Sequence, residues 1–372
     1  MNRKSHYIHY YIYILLSLPM LSCNGTRSDG ASEAGDTLQL HYAKNLTIVT
    51  YPDRMEVTMY NPWDTKSILG KYCLAGDNYS GNKSEGAKVS IPLRNAAVFS
   101  SVHCALLHEL QADDAVGGIC DLEFFNLKEY KEAVRDGRIV NLGNSMQPNL
   151  ERIIDLNPDA IMPSPFENSG GLGRVERLGI PIIWCADYME DTPLGRAEWI
   201  RFYGRLFGRA KEADSIFCTV ESRYHELCAQ ALSAKTRPRL LPEMPWSGQW
   251  TLPGSGSSST KLYADAGAEY IFADLKGNGG IPLSTEKVVD KGVDADIWLI
   301  KHHGKLDRNQ MNTDTPLLAC IKASIWWCDT SETLLYEETP FHPERLLENL
   351  IAILHPELNI EPKFKYFKPL DE

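Results

Sequence analysis

The sequence of 372 residues lacks the short motifs of several enzyme classes. It has no Gly-x-x-x-x-Gly-Lys loop to bind phosphate and no His-Glu-x-x-His helix to hold a catalytic zinc ion. Gly-Ser-Gly-Ser at residues 254–257 is not a Gly-x-Ser-x-Gly nucleophile elbow. Ser-x-x-Lys occurs at 258–261 and 284–287, as in penicillin-recognising acyl transferases, but no Ser-Asp-Asn or Lys-Thr-Gly accompanies it. We therefore predict that the chain is not an enzyme. An exported serine acyl transferase is the less favoured alternative.

Cysteine spacing gives no disulfide framework. No Cys-x-x-Cys is present, and Cys218 and Cys228 fall too far apart on one predicted helix to bond. Cys320 and Cys328 could bridge a hairpin, and the sequence leaves that pairing open.

Basic residues are outnumbered by acidic ones, 38 to 49. Removal of residues 1–22 takes away Arg3 and Lys4 and no acid, which leaves 36 bases, 49 acids and a formal charge of −13. Nucleic-acid binding requires a basic surface, so we exclude a nucleic-acid partner.

The N-terminus lacks an apolar run of the roughly 20 residues that a membrane-spanning helix needs. A basic start, an apolar stretch from Ile8 to Leu21, and Ser22-Cys23 have the layout of a cleavable export signal. Residues 18–23 resemble the bacterial lipobox, whose cysteine is acylated. We predict a signal peptide at 1–22, lipidation of Cys23, and a flexible Gly-, Ser-, Ala- and Asp-rich tether at 23–36. The protein would then be exported, periplasm-facing and anchored to a lipid membrane.

Short apolar runs alternate with helical patterns from Thr47 onward, which predicts an α/β fold in two lobes. We place a first lobe at 37–191, with extra strands at 47–94, and a second lobe at 235–372. One long rigid helix at 192–234 should join them, with Thr192 as its cap and no interrupting proline. Predicted first-lobe elements include strands at Ala97–Ser100 and Pro181–Cys185 and helices at Leu150–Leu156 and Gly173–Leu178.

A sequence pattern that occurs once in each lobe suggests that the lobes are pseudo-symmetric. Glutamate, a base, two aliphatic residues and aspartate occupy 151–155, and the same pattern occupies 286–290. Each is followed by an Asp-Ala pair that opens a predicted strand, at 159–160 and 294–295. Two similar lobes joined by one helix can form a ligand cleft between them.

These features resemble the class III, or helical-backbone, periplasmic binding proteins, which are ABC-importer lipoproteins for iron-siderophores, haem and cobalamin. The resemblance covers about 95–354 and rests on segments 148–159, 178–182 and 266–272. It implies that Glu151 and Glu286 dock on arginines of a membrane permease dimer that works with an ATPase. It also implies a monomer with no resident cofactor, whose ligand is an iron chelate or a corrinoid.

In the resembled family the ligand lies between the lobes, against loops at strand ends. Large planar or chelated ligands favour aromatic walls with a few directed polar groups. The predicted ligand-binding residues are therefore aromatic, hydroxyl or imidazole side chains near strand ends: Ser100, Ser101, His103, Phe166, Trp184, Tyr188, Trp246, Trp250 and His302.

A receptor for bare zinc or manganese is the alternative carrier function. It requires three or four His, Asp or Glu ligands spread over both lobes. His103, His302 and Asp121 could supply them, but the sequence has no His-rich segment, and a bare metal ion would leave the aromatic loop with Trp246 and Trp250 unexplained.

Overall fold

The computed structural model describes residues 35–64, 66–81, 84–166 and 171–370. The export signal, Cys23 and most of the predicted tether lie outside these ranges. Asp36, placed at the end of the tether, already pairs with Thr50 in a sheet. Within the described ranges no helix is both long enough and apolar enough to cross a bilayer.

An N-terminal sheet precedes the strands of the first lobe and includes the region where extra strands were predicted, 47–94. It has five strands in sequential order. The strands are β1 (Asp36–Thr37), β2 (Leu46–Thr50), β3 (Arg54–Tyr60), β4 (Ile68–Ala75) and β5 (Ala87–Ser90). Alternating side chains such as Ile48, Val57 and Met59 are buried, as expected for strands with one face on a core.

Two buried carboxylates fasten this sheet to the rest of the chain. Glu198 accepts the backbone amides of residues 41–43 at 2.8–2.9 Å. Glu190 accepts those of Lys44 and Asn45 at 2.9 and 3.0 Å. Five amides that no strand uses are thereby satisfied.

The first lobe is a parallel sheet with the order β11-β6-β7-β8 and helices on its faces. The predicted helix at 150–156 has the expected bounds, whereas that at 173–178 is only a 3₁₀ turn, Glu176–Leu178. The elements are β6 (Ala96–Val98), α1 (Ser101–Glu109), β7 (Val116–Ile119), α2 (Lys128–Arg135), β8 (Val140–Asn141), β9 (Gly143–Asn144), β10 (Gln147–Pro148), α3 (Leu150–Leu156) and β11 (Ala160–Met162).

Three helices follow the first lobe, so the prediction of one continuous helix at 192–234 is wrong. They are α4 (Pro193–Glu198), α5 (Ile200–Leu206) and α6 (Ala210–Leu232). Thr192 does cap α4, because its hydroxyl accepts from the Gly195 amide at 2.9 Å. Gly208, with φ of 69°, ends the helical run. The chain then turns back, and Gly204 of α5 lies so close to Ala213 of α6 that a Cβ there would overlap its methyl group.

Helix α6 joins the two lobes. Asp214 at its start bonds Arg201 and Arg205 of α5 at 2.9 and 3.0 Å. Nearer its end, the Tyr224 hydroxyl donates to Asp265 of the second lobe at 2.8 Å. The rigid connection is thus 23 residues long and contains no glycine.

The second lobe has a sheet of order β14-β12-β16-β17-β18, parallel except for β18. A separate antiparallel two-stranded sheet pairs β13 with β15. The elements are β12 (Arg239–Pro242), β13 (Gln249–Pro253), α7 (Ser258–Asp265), β14 (Glu269–Tyr270), β15 (Gly280–Ser284), α8 (Thr285–Gly292), β16 (Ile297–His302), α9 (Arg308–Asp314), β17 (Ser324–Asp329), α10 (Leu335–Glu338), α11 (Pro343–Leu354) and β18 (Lys368–Pro369).

The sheets share one topology, which confirms the pseudo-symmetry. The first lobe has the order β11-β6-β7 and the second the equivalent order β16-β12-β14. The predicted strand at 181–185 forms only a bridge, Ile182 to Ile161, but it lies beside β11 as β17 lies beside β16.

Two aspartates occupy equivalent places in the lobes. Asp159 accepts the amides of Arg94 and Asn95 at 2.7 and 2.9 Å, just before β6. Asp296 accepts the amide of Arg239 at 2.7 Å at the start of β12. Each aspartate caps the central strand of its sheet. In the second lobe this aspartate, Asp296, directly follows the Asp294-Ala295 pair.

The eight cysteines among the described residues are unpaired, including Cys320 and Cys328. Cys320 is exposed at the end of a 3₁₀ turn, whereas Cys328 is buried in β17.

Candidate ligand-binding site

A cavity of about 610 Å³ opens at the carboxyl ends of the first-lobe strands. The carboxyl ends of parallel strands meet at one edge of a sheet, so the loops after β6, β7 and β11 converge there. The lining residues are Phe99, Ser100 and Ser101 after β6, Asp121 and Phe124 after β7, Ser145, Met146 and Pro148 near the β9–β10 hairpin, Pro163, Ser164 and Phe166 after β11, and Gly171, Leu172, Gly173 and Trp184.

Large apolar side chains stand exposed around the cavity. Phe124 and Met146 are each 63% exposed and Phe166 is 42% exposed. Clustered exposed apolar groups are unusual on a soluble surface and mark binding surfaces. Four serine hydroxyls in the lining can direct polar groups of a ligand.

Asp121 is the one ionisable group among the lining residues that the structure describes. It has a left-handed backbone, with φ of 51°. Its amide donates to the Gly143 carbonyl at 2.8 Å, and its Oδ1 accepts the Ser145 amide at 2.9 Å. These bonds fix the carboxylate at the cavity wall.

Trp184 is held by the N-terminal sheet. Its backbone amide donates to the hydroxyl of Tyr72, a buried residue of β4, at 3.2 Å. Burial raises the pKa of Tyr72 well above its ordinary value, so this hydroxyl stays neutral. The extra region at 47–94 therefore supports one wall of the cavity.

Four of the predicted ligand-binding residues line this cavity: Ser100, Ser101, Phe166 and Trp184. Ser100 also caps α1, since its hydroxyl accepts the Val102 amide at 3.2 Å. Phe99, Phe124, Met146 and Ser164 also line the cavity and were not predicted. Phe99 directly follows β6 and Ser164 is the second residue after β11, and those positions would have identified them.

The ligand-binding prediction for Trp250 is corrected, because this residue is fully buried. It points inward from the alternating strand β13, and its indole nitrogen donates to the Pro242 carbonyl at 3.2 Å. Its ring packs against Trp298, with ring centroids 5.5 Å apart. Trp250 thus belongs to the core of the second lobe.

His103 also lies in the core, and its assignment to the cleft is corrected. Its Nε2 bonds Asp187 at 2.8 Å, and Tyr203 and Phe341 pack against its ring. Burial disfavours the charged ring, but its acidic neighbours Cys185 and Asp187 outweigh burial and raise the pKa of His103 to about 10. It therefore acts as the cation of a buried ion pair.

Tyr188, His302 and Trp246 lie outside the cavity lining. The hydroxyl of half-buried Tyr188 donates to the Pro165 carbonyl, beside Phe166. Half-buried His302 ends β16 and donates from Nδ1 to the Gly304 carbonyl at 2.9 Å. Trp246 is 81% exposed in a tight turn to Gln249.

The lobes meet beside the cavity. Asn126, two residues after Phe124, donates to the Thr330 and Thr333 carbonyls at 2.9 and 2.7 Å, just past the end of β17. At the neighbouring end of β16, Lys301 pairs with Glu243 at 2.5 Å. The first-lobe cavity thus opens near the strand ends of the second lobe.

The residues named for a bare metal ion each bond a different partner. His103 bonds Asp187, His302 bonds Gly304, and Asp121 bonds Ser145. Within the described ranges, no group of three or more His, Cys, Asp or Glu residues is arranged to hold a metal ion.

The serines of both Ser-x-x-Lys sequences lie at helix starts. Ser284 caps α8 by accepting the Lys287 amide at 3.4 Å. Ser258 is the first residue of α7, and Lys261 pairs with Asp265 one turn later. Neither pair shows the hydrogen bond between nucleophile and base that acyl transfer needs.

Glu151 and Glu286 occupy equivalent positions on the two lobes. Each is exposed in the first turn of its helix, α3 or α8. Asn149 and Ser284 cap these helices. Asn149 directly follows β10, and Ser284 is the last residue of β15.

A second interlobe contact lies away from the cavity. His342, just before α11, bonds Glu109 at the end of α1 at 2.6 Å and Glu344 at 2.9 Å. Burial disfavours the charged ring, but the two carboxylates outweigh burial and raise the pKa of His342 to about 9.

We expect the bonds of His342 to Glu109 and Glu344 to make the stability of the protein depend on pH. The folded pKa of His342, about 9, exceeds the ordinary value of 6.5, so its contribution is complete below pH 6.5 and is lost as pH rises through 9. The lost stability is about 3 kcal/mol. Urea unfolding from pH 6 to 10 should show the gap between the unsubstituted protein and His342→Gln shrinking by that amount. A gap that stays constant would contradict the assignment, and His41→Gln, at an exposed histidine, is the control.

Residues 103–324 match the sequence model of a family described as periplasmic binding protein. An uncharacterized lipoprotein of Methanocaldococcus jannaschii is 25% identical over 361 residues, which cover 88% of this chain and 84% of the relative. A second uncharacterized lipoprotein of that organism is 21% identical and covers 84% of each chain.

Solved structures share the fold at low identity. A periplasmic heme binding protein from Pseudomonas aeruginosa superposes with a TM-score of 0.59 at 15% identity, covering 75% of this chain and 98% of that chain. The triscatecholate siderophore binding protein of Bacillus subtilis gives 0.56 at 18% identity, covering 73% and 95%.

Proposed function

Because this chain belongs to the periplasmic binding protein family, we propose that it is the substrate-binding lipoprotein of an ABC importer. It captures an iron chelate, such as a siderophore or haem, or a corrinoid, and delivers it to the membrane permease. Proteins of similar fold bind haem and a ferric siderophore, which supports this ligand class.

The observation that carries the proposal is the cavity of about 610 Å³ with its exposed apolar rim. A volume of this size fits a ligand of several hundred daltons, within the usual range of about 300–1,000 Å³. Phe124, Phe166 and Trp184 provide flat surfaces for a large organic chelate.

Tryptophan fluorescence tests the proposal. The purified chain is titrated in parallel with ferric siderophores, haem, cobalamin, and zinc or manganese salts. Saturable quenching by a chelate supports the proposal and identifies the ligand class. A response to the bare metals alone would instead favour the metal-ion receptor.

We expect Trp184→Ala to weaken chelate binding about 10- to 100-fold, because it removes an aromatic wall whose loss costs about 2 kcal/mol. Trp246→Phe, at a residue outside the cavity lining, should leave the dissociation constant within about twofold. If Trp246→Phe weakened chelate binding as much as Trp184→Ala, the ligand would contact the second lobe at Trp246 as strongly as it contacts the cavity.

The lipid anchor at Cys23 is part of the proposal and is supported by the lipoprotein names of the relatives. We expect Cys23→Ser to shift the protein from the detergent phase to the aqueous phase in a phase-partition assay of cell membranes. Continued partition into detergent would contradict the assignment of Cys23.

A further inference from the structure

The charge of the cavity lining is unusual for a site that would hold a metal complex. Its described lining residues contain no lysine, arginine or histidine, and Asp121 is their one ionisable group. The part of the wall that the structure describes therefore offers one carboxylate and four serine hydroxyl groups but no cation.

The carboxylate of Asp121 is not neutralised by the protein. Its Oδ1 accepts the Ser145 amide, the backbone amide of Asp121 donates to the Gly143 carbonyl, and no ion pair among the described residues includes the carboxylate. Its backbone sits in a left-handed turn that those bonds maintain.

Two bases outside the cavity lining have other partners. Arg152 of α3 keeps its charge but donates to the Asn141 carbonyl at 2.5 Å. Lys301 at the end of β16 is neutralised by Glu243, and its pKa stays above the ordinary value because that carboxylate outweighs the burial that opposes its charge.

This distribution of charge decides which ligands gain by entering. An anion that leaves water for an apolar cavity loses hydration, and only an opposite charge or directed donors can compensate for the loss. Repulsion by one carboxylate about 12 Å away, at an effective dielectric of about 20, weakens binding about tenfold per ligand charge. An uncharged ligand avoids this repulsion, and a cation is attracted by the carboxylate.

We propose that the cleft selects metal chelates or corrinoids without net negative charge, and that Asp121 sets this preference. The inference rests on the proposed function and narrows its ligand class. Uncharged or cationic complexes, such as ferric trihydroxamates and cobalamin, satisfy it, whereas ferric tris-catecholates, which carry three negative charges, do not.

The test compares three probes on the purified full-length chain in detergent by equilibrium dialysis: a cationic ferric trihydroxamate, uncharged cyanocobalamin and a ferric tris-catecholate. We expect at least one of the first two to bind at least about 100-fold more tightly than the tris-catecholate. Tris-catecholate binding that equals or exceeds theirs would overturn the inference and leave the proposed function standing. If none of the three probes binds saturably and haem does not bind in a parallel titration either, both the inference and the proposed function are overturned.

Substitutions at Asp121 test its role. Asp121→Asn keeps an oxygen that can accept from the Ser145 amide, so we expect it to fold normally. It should weaken the cationic trihydroxamate about tenfold and leave cyanocobalamin within about twofold. Asp121→Lys should strengthen tris-catecholate binding. If neither substitution changes the ranking of ligands by charge, Asp121 does not set the preference.

Discussion

Alanine at both Glu151 and Glu286 is expected to reduce uptake through the complete importer at least about 100-fold without changing ligand affinity. Both glutamates are exposed at the start of equivalent helices, one on each lobe, and neither lines the cavity. Loss of one partner from a hydrogen-bonded charge pair across an interface costs about 2–5 kcal/mol. Loss of both would therefore weaken docking about 1,000-fold or more.

The two helices provide a matched control for this prediction. Asp155 and Asp290 are exposed acids four residues beyond Glu151 and Glu286 on α3 and α8. Alanine at both removes the same net charge from the same helices, and uptake should stay within about twofold. Unfolding curves establish that both double variants are folded. Weaker ligand binding by the glutamate variant would place these residues in the cleft, and unchanged uptake would remove their docking role.

The secondary structure could be predicted where capping and periodicity agreed. Helix α3 has the predicted bounds, since Asn149 caps it. The pseudo-symmetry was visible because the pattern at 151–155 recurs at 286–290, at the start of equivalent helices in the two lobes. Both features depend on residues that are close in sequence.

The long connecting helix could not be predicted correctly, because its apolar spacing continues through a reversal of the chain. Trp199, between α4 and α5, and Phe202 and Leu206 of α5 are buried as they would be in one helix. The decisive residue is Gly208, whose positive φ the sequence permits but does not demand. His103 was misplaced for a different reason, since its partner Asp187 lies 84 residues away.

The cavity could be predicted in part. Strand ends led to Ser100, Ser101, Phe166 and Trp184, because sheet topology brings those ends together. Phe124 follows a 3₁₀ turn and Met146 lies between the hairpin strands β9 and β10, so no strand-end rule reaches them. Their exposure to solvent is a property of the folded chain.

The burial of Trp250 and the exposure of Trp246 are also properties of the folded chain. Alanine at the two positions should therefore change the free energy of unfolding by very different amounts. Four residues apart in a Pro-rich segment, they have similar sequence surroundings, yet Trp250 is fully buried and Trp246 is 81% exposed. We expect Trp250→Ala to lower the free energy of unfolding by about 3–5 kcal/mol, as large aromatic truncations in cores do. It removes the contact with Trp298 and the hydrogen bond to the Pro242 carbonyl. Trp246→Ala should change the free energy by less than about 0.5 kcal/mol.

Urea unfolding of the two alanine variants measures this difference, and ligand titration of Trp250→Phe separates core from cleft. Phenylalanine retains most of the buried ring and loses the bond to the Pro242 carbonyl, so it should cost stability while leaving ligand affinity unchanged. Reduced affinity at unchanged stability would return Trp250 to the cleft. Because Trp250 bonds the Pro242 carbonyl at the end of β12 and packs against Trp298 of β16, that result would mean that the ligand enters between the strands of the second lobe.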